Sequence, residues 1–115
     1  MTDAGAAEFR SAVTRLVRRV SHWTPPRWAA SGRAELVHGL VQQLADLAAD
    51  AEGEPRRAVP RLGNDAALPD QLRVVAADLL AAGGECARAA ALVRETSRAL
   101  EFRPDRTTGR DAARP

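Results

Sequence analysis

Apolar residues recur at intervals of three and four positions in four stretches of the chain, and proline or glycine separates these stretches. Such spacing places the apolar side chains on one face of an α-helix. The predicted helices cover approximately residues 6–22, 32–51, 69–82 and 85–102. Of the 115 residues, 25 are Ala and 12 are Leu, both strong helix formers, and Ile and Tyr are absent. The sequence therefore predicts an all-α, four-helix bundle-like fold.

Local signals predict where these helices begin and end. The prolines at 25–26, after Thr24, end the first helix because neither ring nitrogen can donate a backbone hydrogen bond. Ser31 is expected to cap the second helix. Pro69 suits the first turn of the third helix, and Gly83 suits its C-terminal end.

The connection between the second and third helices, residues 52–68, is long for a compact domain. It contains two prolines and two glycines and has no helical period. An ordered loop and a mobile segment are both open, and we favour an ordered loop that Leu62 and Leu68 pin to the core. Residues 1–103 are predicted to form a single domain. The polar tail, residues 104–115, is predicted to be disordered.

Charge favours a particular pairing of the helices. Residues 1–22 carry four arginines and two carboxylates, whereas the second helix and the residue after it carry one arginine and four carboxylates. We therefore expect the first two helices to form an antiparallel hairpin, although each solvated ion pair contributes little. The glycines at 83–84 are expected to connect a second hairpin.

The basic residues and the single cysteine exclude several classes of function. All 17 basic residues are Arg, so a lysine Schiff base and a phosphate-binding lysine loop are excluded. The net charge of +2 is lower than a dedicated nucleic-acid-binding domain usually has. Cys86 is the only cysteine, which excludes an intrachain disulfide and predicts a reduced, cytoplasmic location. Neither a signal peptide nor a membrane span is expected.

The third and fourth helices carry apolar residues on two faces, which is more than a peripheral helix of a monomer needs. The residues on the second faces are Val74, Leu92, Ala99 and Phe102. A second copy of the same surface would cover them most simply, so we predict self-association as a homodimer through these four residues. The alternative is that loop 52–68 lies over them.

Arginine and tryptophan alternate after the first helix, and both residue types often anchor protein interfaces. The predicted contact surface for a larger partner protein consists of Trp23, Pro25, Pro26, Arg27 and Trp28. The competing interpretation is that the two indoles are buried at one end of the bundle, because tryptophan is buried on average.

A nucleic-acid-binding regulator is the alternative function. Its arginines would be Arg15, Arg18, Arg19, Arg27, Arg56, Arg57 and Arg61. His38, Gln42 and Asp46 follow one flank of the second helix at intervals of four residues. We interpret this flank as a solvated polar face and predict no metal site.

No arrangement of residues in the sequence is typical of catalysis. Asp65 and Asp70 are explained by the favourable position of carboxylates near a helix N-terminus. Cys86 is expected to be a small core residue. The sequence therefore predicts a non-catalytic interaction or assembly module without a cofactor, which binds itself, a larger protein, or both.

Overall fold

The computed structural model describes residues 2–101, with side chains from residue 4 onward, and confirms the all-α, bundle-like prediction. The helices are α1 (Thr2–Val20), α2 (Pro25–Ala29), α3 (Arg33–Glu52), α4 (Leu68–Ala82) and α5 (Cys86–Glu101). Two 3-10 turns, Ala30–Gly32 and Asp65–Ala67, precede α3 and α4. Within residues 2–101, no helix combines the length and the apolar character that crossing a membrane requires. Phe102 and the predicted disordered tail, 104–115, lie outside the described residues.

The diproline has a second role that the sequence analysis missed. It follows the end of α1 and also forms the first turn of α2, in which Thr24 is the N-cap and its hydroxyl accepts a hydrogen bond from the Arg27 amide at 3.4 Å. Proline suits this position because the first amides of a helix have no intrahelical acceptor. The short helix directs Trp28 into the core, where the side chain is 1% exposed.

The prediction that Ser31 caps α3 is wrong. Ser31 and Gly32 both have left-handed backbone conformations, with φ of 58° and 70°. Gly32, not Ser31, is the residue at the N-cap of α3, and glycine has no side chain with which to cap the helix. A serine cap has an extended backbone, so the turn between α2 and α3 prevents Ser31 from acting as one.

The helix order in space differs from the two predicted hairpins. α1 packs most extensively on α5, and α3 on α4, while α1 and α3 lie on a diagonal of the bundle, as do α4 and α5. α1 and α5 run parallel, because Gly5 lies against Cys86 and Arg19 lies near Glu101. The expected hairpins, of the first helix with the second and of the third with the fourth, are therefore both wrong, because each of these helices packs mainly on a different neighbour.

α3 and α4 also run parallel, which explains the long connection between them. Ala51, near the end of α3, lies against Gly84, just after α4, and a side chain at position 84 would collide with the side chain of Leu79. The 20 residues of α3 are about 30 Å long. The chain must return over this length before α4 begins, and residues 53–64 can reach about 40 Å when extended. We call residues 53–64 the crossover loop.

The core is formed by all four long helices and by Trp28 from α2. Its largest fully buried side chains are Trp28, Phe9, Leu16, Leu40, Leu44, Leu72 and Leu79. Burying a large apolar side chain contributes about 1.5–3 kcal/mol relative to leaving it exposed. The core therefore fixes α1, α3, α4 and α5 relative to one another and creates two outer grooves, one for each parallel pair.

Candidate functional site: an arginine groove between α1 and α5

The groove between α3 and α4 holds the crossover loop. Gln42 on α3 binds the loop backbone twice: its Oε1 accepts from the Val59 amide at 2.7 Å, and its Nε2 donates to the Arg57 carbonyl at 2.9 Å. The His38 ring Nε2 donates to the Val59 carbonyl at 2.9 Å, and Asp46 accepts from Gln42 at 3.0 Å. The flank that was predicted to be solvated thus anchors the loop. In the described part of the chain, no cluster of side chains could hold a metal ion.

The loop is ordered, as we favoured, but one of its predicted anchors is wrong. Leu62 is 46% exposed, whereas Val59 is half-buried and packs against the core. Leu68 is buried, as predicted, although it is the first residue of α4. The side-chain amide of Gln71 on α4 also donates to the Pro60 carbonyl at 3.2 Å. Hydrogen bonds from side chains on α3 and α4 to the loop backbone, together with the packing of Val59, therefore fix the loop, and Leu62 does not.

Ion pairs hold the exposed parts of the loop. Arg56 donates two hydrogen bonds to the Asp50 carboxylate, at 3.0 and 2.8 Å, and Arg61 donates one to Asp65 at 2.9 Å. The hydrogen bonding and the positive charge of Arg56 hold the pKa of Asp50 below its usual value, and Asp50 in turn raises the pKa of Arg56. Two of the arginines assigned to the nucleic-acid alternative are thus already paired with carboxylates.

A cavity of about 460 Å³ lies under the loop, between it and the outer sides of α3 and α4. Ala45, Ala48 and Val75 contribute apolar surface, and Glu52 and Asp78 contribute carboxylates. The α3 residues beneath the loop are mostly alanines, whose small side chains leave this space unfilled.

The opposite groove, between α1 and α5, is open and lined by arginine. Arg15 from α1 and Arg94 and Arg98 from α5 surround a cavity of about 220 Å³, with Ala12 and Ser97 as its small residues. Residues 94 and 98 are one helical turn apart, and residues 12 and 15 are also neighbours on one helix face. Parallel packing of the two helices brings these faces together. We call this site the arginine groove.

Carboxylates occupy the two ends of the arginine groove, and within the described part of the chain none pairs with the arginines in its middle. Arg94 donates a hydrogen bond to Glu8. Arg19 donates to the Ser97 carbonyl at 3.1 Å and lies 3.9 Å from Glu101. Arg15 and Arg98 form no hydrogen bond or ion pair with the residues that the structure describes. These two guanidinium groups are the ones available to a ligand.

The two helix pairs also differ in charge. α1 and α5 together carry seven arginines and four carboxylates, whereas residues 33–82 carry five arginines and eight carboxylates. The net charge of the chain is low because opposite charges on its two sides largely cancel. The side that includes the arginine groove is positive, and the side that includes the crossover loop is negative.

The predicted tryptophan surface is only partly accessible. Trp28 is buried, so the competing interpretation holds for this residue and it is not available to a partner. Trp23 is half-buried, and its ring meets the Trp28 ring edge to face at 4.9 Å. The guanidinium groups of Arg27 and the buried Arg33 lie 5.2 and 5.7 Å from the Trp23 ring centre. Pro25 and Pro26 are exposed.

The structure does not bring the three described residues of the predicted self-association surface, Val74, Leu92 and Ala99, onto one face. Val74 on α4 is 59% exposed, whereas Leu92 on α5 is half-buried against the core. Ala99 is half-buried as well, and Phe102 is outside the described residues. Because α4 and α5 are diagonal, their outer faces point in different directions. α5 packs on both α1 and α3, which accounts for its wide apolar face.

The arginines of the nucleic-acid alternative are also divided between the two sides. Arg15 and Arg18 are exposed on α1, and Arg19 is bound to α5. Arg56, Arg57 and Arg61 lie on the crossover loop, and Arg27 lies over Trp23. They do not form one continuous basic surface.

Sequence reasoning missed the residues that α5 contributes to the arginine groove, Arg94, Ser97 and Arg98. Their spacing predicts a shared helix face, but nothing in the sequence identifies α1 as the neighbouring helix. Comparisons with known protein families, curated proteins and solved structures find no match for this chain. The interpretation of the groove therefore depends on its own geometry.

Proposed function

We propose that the protein is a non-catalytic interaction module that binds a negatively charged segment of a partner protein in the arginine groove. The observation that supports this proposal is the convergence of Arg15, Arg94 and Arg98 from two helices on one open cavity. Guanidinium groups bind carboxylate and phosphate oxygens through pairs of parallel hydrogen bonds. The free cysteine, Cys86, is consistent with action in the cytoplasm, which is part of the proposal.

The strength of such binding depends on how many charges act together. A single exposed ion pair contributes only about 0.2–1 kcal/mol, and salt screens it. The guanidinium groups of Arg15 and Arg98, which have no partner within residues 4–101, lie beside one cavity and act on the same ligand, so their contributions combine. We therefore expect weak binding that decreases as salt is added.

Fluorescence anisotropy with a labelled peptide rich in Glu tests the proposal. At low salt the peptide should bind, and the double variant R15A/R98A should weaken binding by about tenfold or more, because it removes both unpaired guanidinium groups. The matched control is R57A/R73A, which removes two exposed arginines from the other side of the molecule. Equal losses in the two double variants, or no binding by the unmodified protein, would contradict the proposal.

Nucleic-acid binding is a second candidate because Arg15 and Arg18 are both exposed on α1. The same assay with single-stranded and duplex DNA measures it. Binding to DNA should depend steeply on salt, since neutralised phosphates release counterions. If either DNA binds more tightly than the Glu peptide and R15A/R18A abolishes that binding, this second function replaces the first.

Self-association stays a prediction, and the exposure of Val74 is the observation that favours it. Sedimentation equilibrium at tens of micromolar should give a dimer, which V74D should convert to a monomer. L62D is the matched control because Leu62 is the other large apolar residue with high exposure among the described residues. A monomeric unmodified protein would remove self-association from the proposal.

A further inference from the structure

The charge in the middle of the arginine groove matches a phosphoryl group better than a single carboxylate. Glu8 neutralises Arg94 and Glu101 lies near Arg19, whereas Arg15 and Arg98 are two positive charges that pair with no carboxylate among residues 4–101. A phosphoryl group on Ser or Thr carries a charge of about −1.5 to −2 at pH 7, whereas a carboxylate carries −1. We therefore infer that the groove binds a phosphorylated Ser or Thr in the partner segment. This inference rests on the proposed function.

The hydrogen-bond donors around the cavity support the same ligand. Each guanidinium group has five N–H donors, and the three arginines approach from two helices. Ser97 borders the cavity, and its hydroxyl makes no hydrogen bond with the described residues. Three terminal phosphoryl oxygens can accept from all these groups together, whereas a carboxylate has only two oxygens.

The size of the cavity and the charges at its ends limit what else it can hold. Its volume of about 220 Å³ is below the roughly 300–1,000 Å³ of sites for drug-sized ligands, but it accommodates one phosphoryl group and the adjoining side chain. Glu8 and Glu101 flank the arginines and would repel the successive phosphates of a nucleic acid. One isolated dianion in an otherwise neutral segment avoids this repulsion.

Calorimetric titration with three matched peptides tests the inference. Each is a nine-residue peptide of Ala and Gly whose central residue is phosphoserine, Glu or Ser. The phosphoserine peptide should bind at least about tenfold more tightly than the Glu peptide, and the Ser peptide should not bind detectably. Inorganic phosphate, as a fourth probe, should bind more weakly than the phosphoserine peptide because it lacks contacts from the flanking backbone.

Variants identify the groups that recognise the phosphoryl group. R15A and R98A should each weaken binding of the phosphoserine peptide about tenfold, and R57A should leave it unchanged. R15K/R98K retains both charges but loses the paired geometry, so it should bind more weakly than the unmodified protein and more tightly than R15A/R98A. Circular dichroism verifies that each variant is folded.

The outcomes separate this inference from the proposed function. If the Glu and phosphoserine peptides bind equally tightly, the phosphoryl inference is overturned and the proposed function stands. If inorganic phosphate binds as tightly as the phosphoserine peptide, the segment makes no contribution and the inference of a protein-borne phosphoryl group is overturned. If none of these probes and no Glu-rich peptide binds, both proposals are overturned.

Discussion

Each of the two parallel helix pairs has an outer groove, but the crossover loop covers one groove and the other is open. Between α3 and α4, polar side chains such as Gln42 and His38 bind the backbone of the crossover loop. Between α1 and α5, the groove lies open, and Arg15 and Arg98 have no partner among the described residues. Polar residues on a helix flank thus support the fold on one side and remain available to a ligand on the other.

This difference follows from the connections between the helices. The chain passes directly from α3 to α4, so a parallel arrangement requires a crossover, and the crossover covers their groove. α1 and α5 are also parallel, but α2, α3, the loop and α4 separate them in sequence. No direct crossover has to lie along their groove. We therefore expect substitutions on the α3/α4 side to change stability and substitutions in the arginine groove to change binding.

The largest expected effect is at Trp28. This residue belongs to neither groove, because α2 packs against α3 and against the 3-10 turn that precedes α4, so its loss should destabilise the whole bundle. W28A should lower the free energy of unfolding by about 3–5 kcal/mol, since it leaves a large cavity in the core. Urea unfolding followed by circular dichroism measures the change. W23A is the control and should cost less because Trp23 is only half-buried. A larger loss in W23A would contradict the assignment of Trp28 to the core.

Gln42 gives the next largest effect and tests the covered groove. Q42A removes two hydrogen bonds to the loop backbone and should cost about 1–3 kcal/mol of unfolding free energy. Hydrogen exchange of the Val59 amide should become faster, because that amide loses its acceptor. Q43A is the matched control: Gln43 is exposed on the same helix, and its loss should change stability by less than about 0.5 kcal/mol. Equal effects of the two variants would show that the loop does not depend on Gln42.

The arginine groove should show the opposite behaviour. R15A/R98A should change the free energy of unfolding by less than about 0.5 kcal/mol, because neither side chain has a partner among the described residues. Thermal and urea unfolding measure this quantity on the same samples that are used for peptide binding. R94A, which breaks the exposed pair with Glu8, should cost no more than about 1 kcal/mol. A large loss of stability in R15A/R98A would remove the distinction between the grooves.

The smallest effect concerns the Asp50–Arg56 pair on the loop side. R56A should raise the pKa of the Asp50 carboxyl toward its usual value, because the hydrogen bonds and the positive charge that depress it are lost. Carboxyl chemical shifts followed by NMR across acid pH measure the change, and R57A is the control. The pair stabilises the fold above the unfolded-state pKa of Asp50, and its contribution is lost as the pH falls through the lower folded-state value. An unchanged pKa in R56A would show that the pair does not persist in solution.

The sequence predicts individual helices well and their arrangement poorly. Apolar spacing, Pro69 and Gly83 place α3 and α4 within one residue of their observed bounds, because these signals act within a helix. The diproline also carried a detectable signal for α2, since proline after Thr24 is typical of a helix start. Helix neighbours depend on contacts between distant residues, as in the Arg94–Glu8 pair. No local pattern encodes those contacts.

The same limit explains why the candidate site was not predicted. Arg15 was identified on α1, but Arg94, Ser97 and Arg98 become its neighbours only when α5 packs parallel to α1. His38 and Gln42 were interpreted as solvated for a similar reason, because the sequence does not show that residues 57–59 return along α3. Charge alone favoured the wrong helix pairs, since exposed ion pairs are too weak to determine packing against a large apolar core.

The parallel pairing of α1 and α5 has a consequence for biosynthesis. During translation, the apolar face of α1 is complete long before its principal neighbour exists, since α5 follows more than sixty residues later. Folding that must bring such distant segments together is slow compared with the closure of local hairpins. Part of the apolar face of α1 therefore stays uncovered in the nascent chain until α5 leaves the ribosome, although α4 can cover another part earlier. Misassembly or binding by a chaperone is most favourable in this interval.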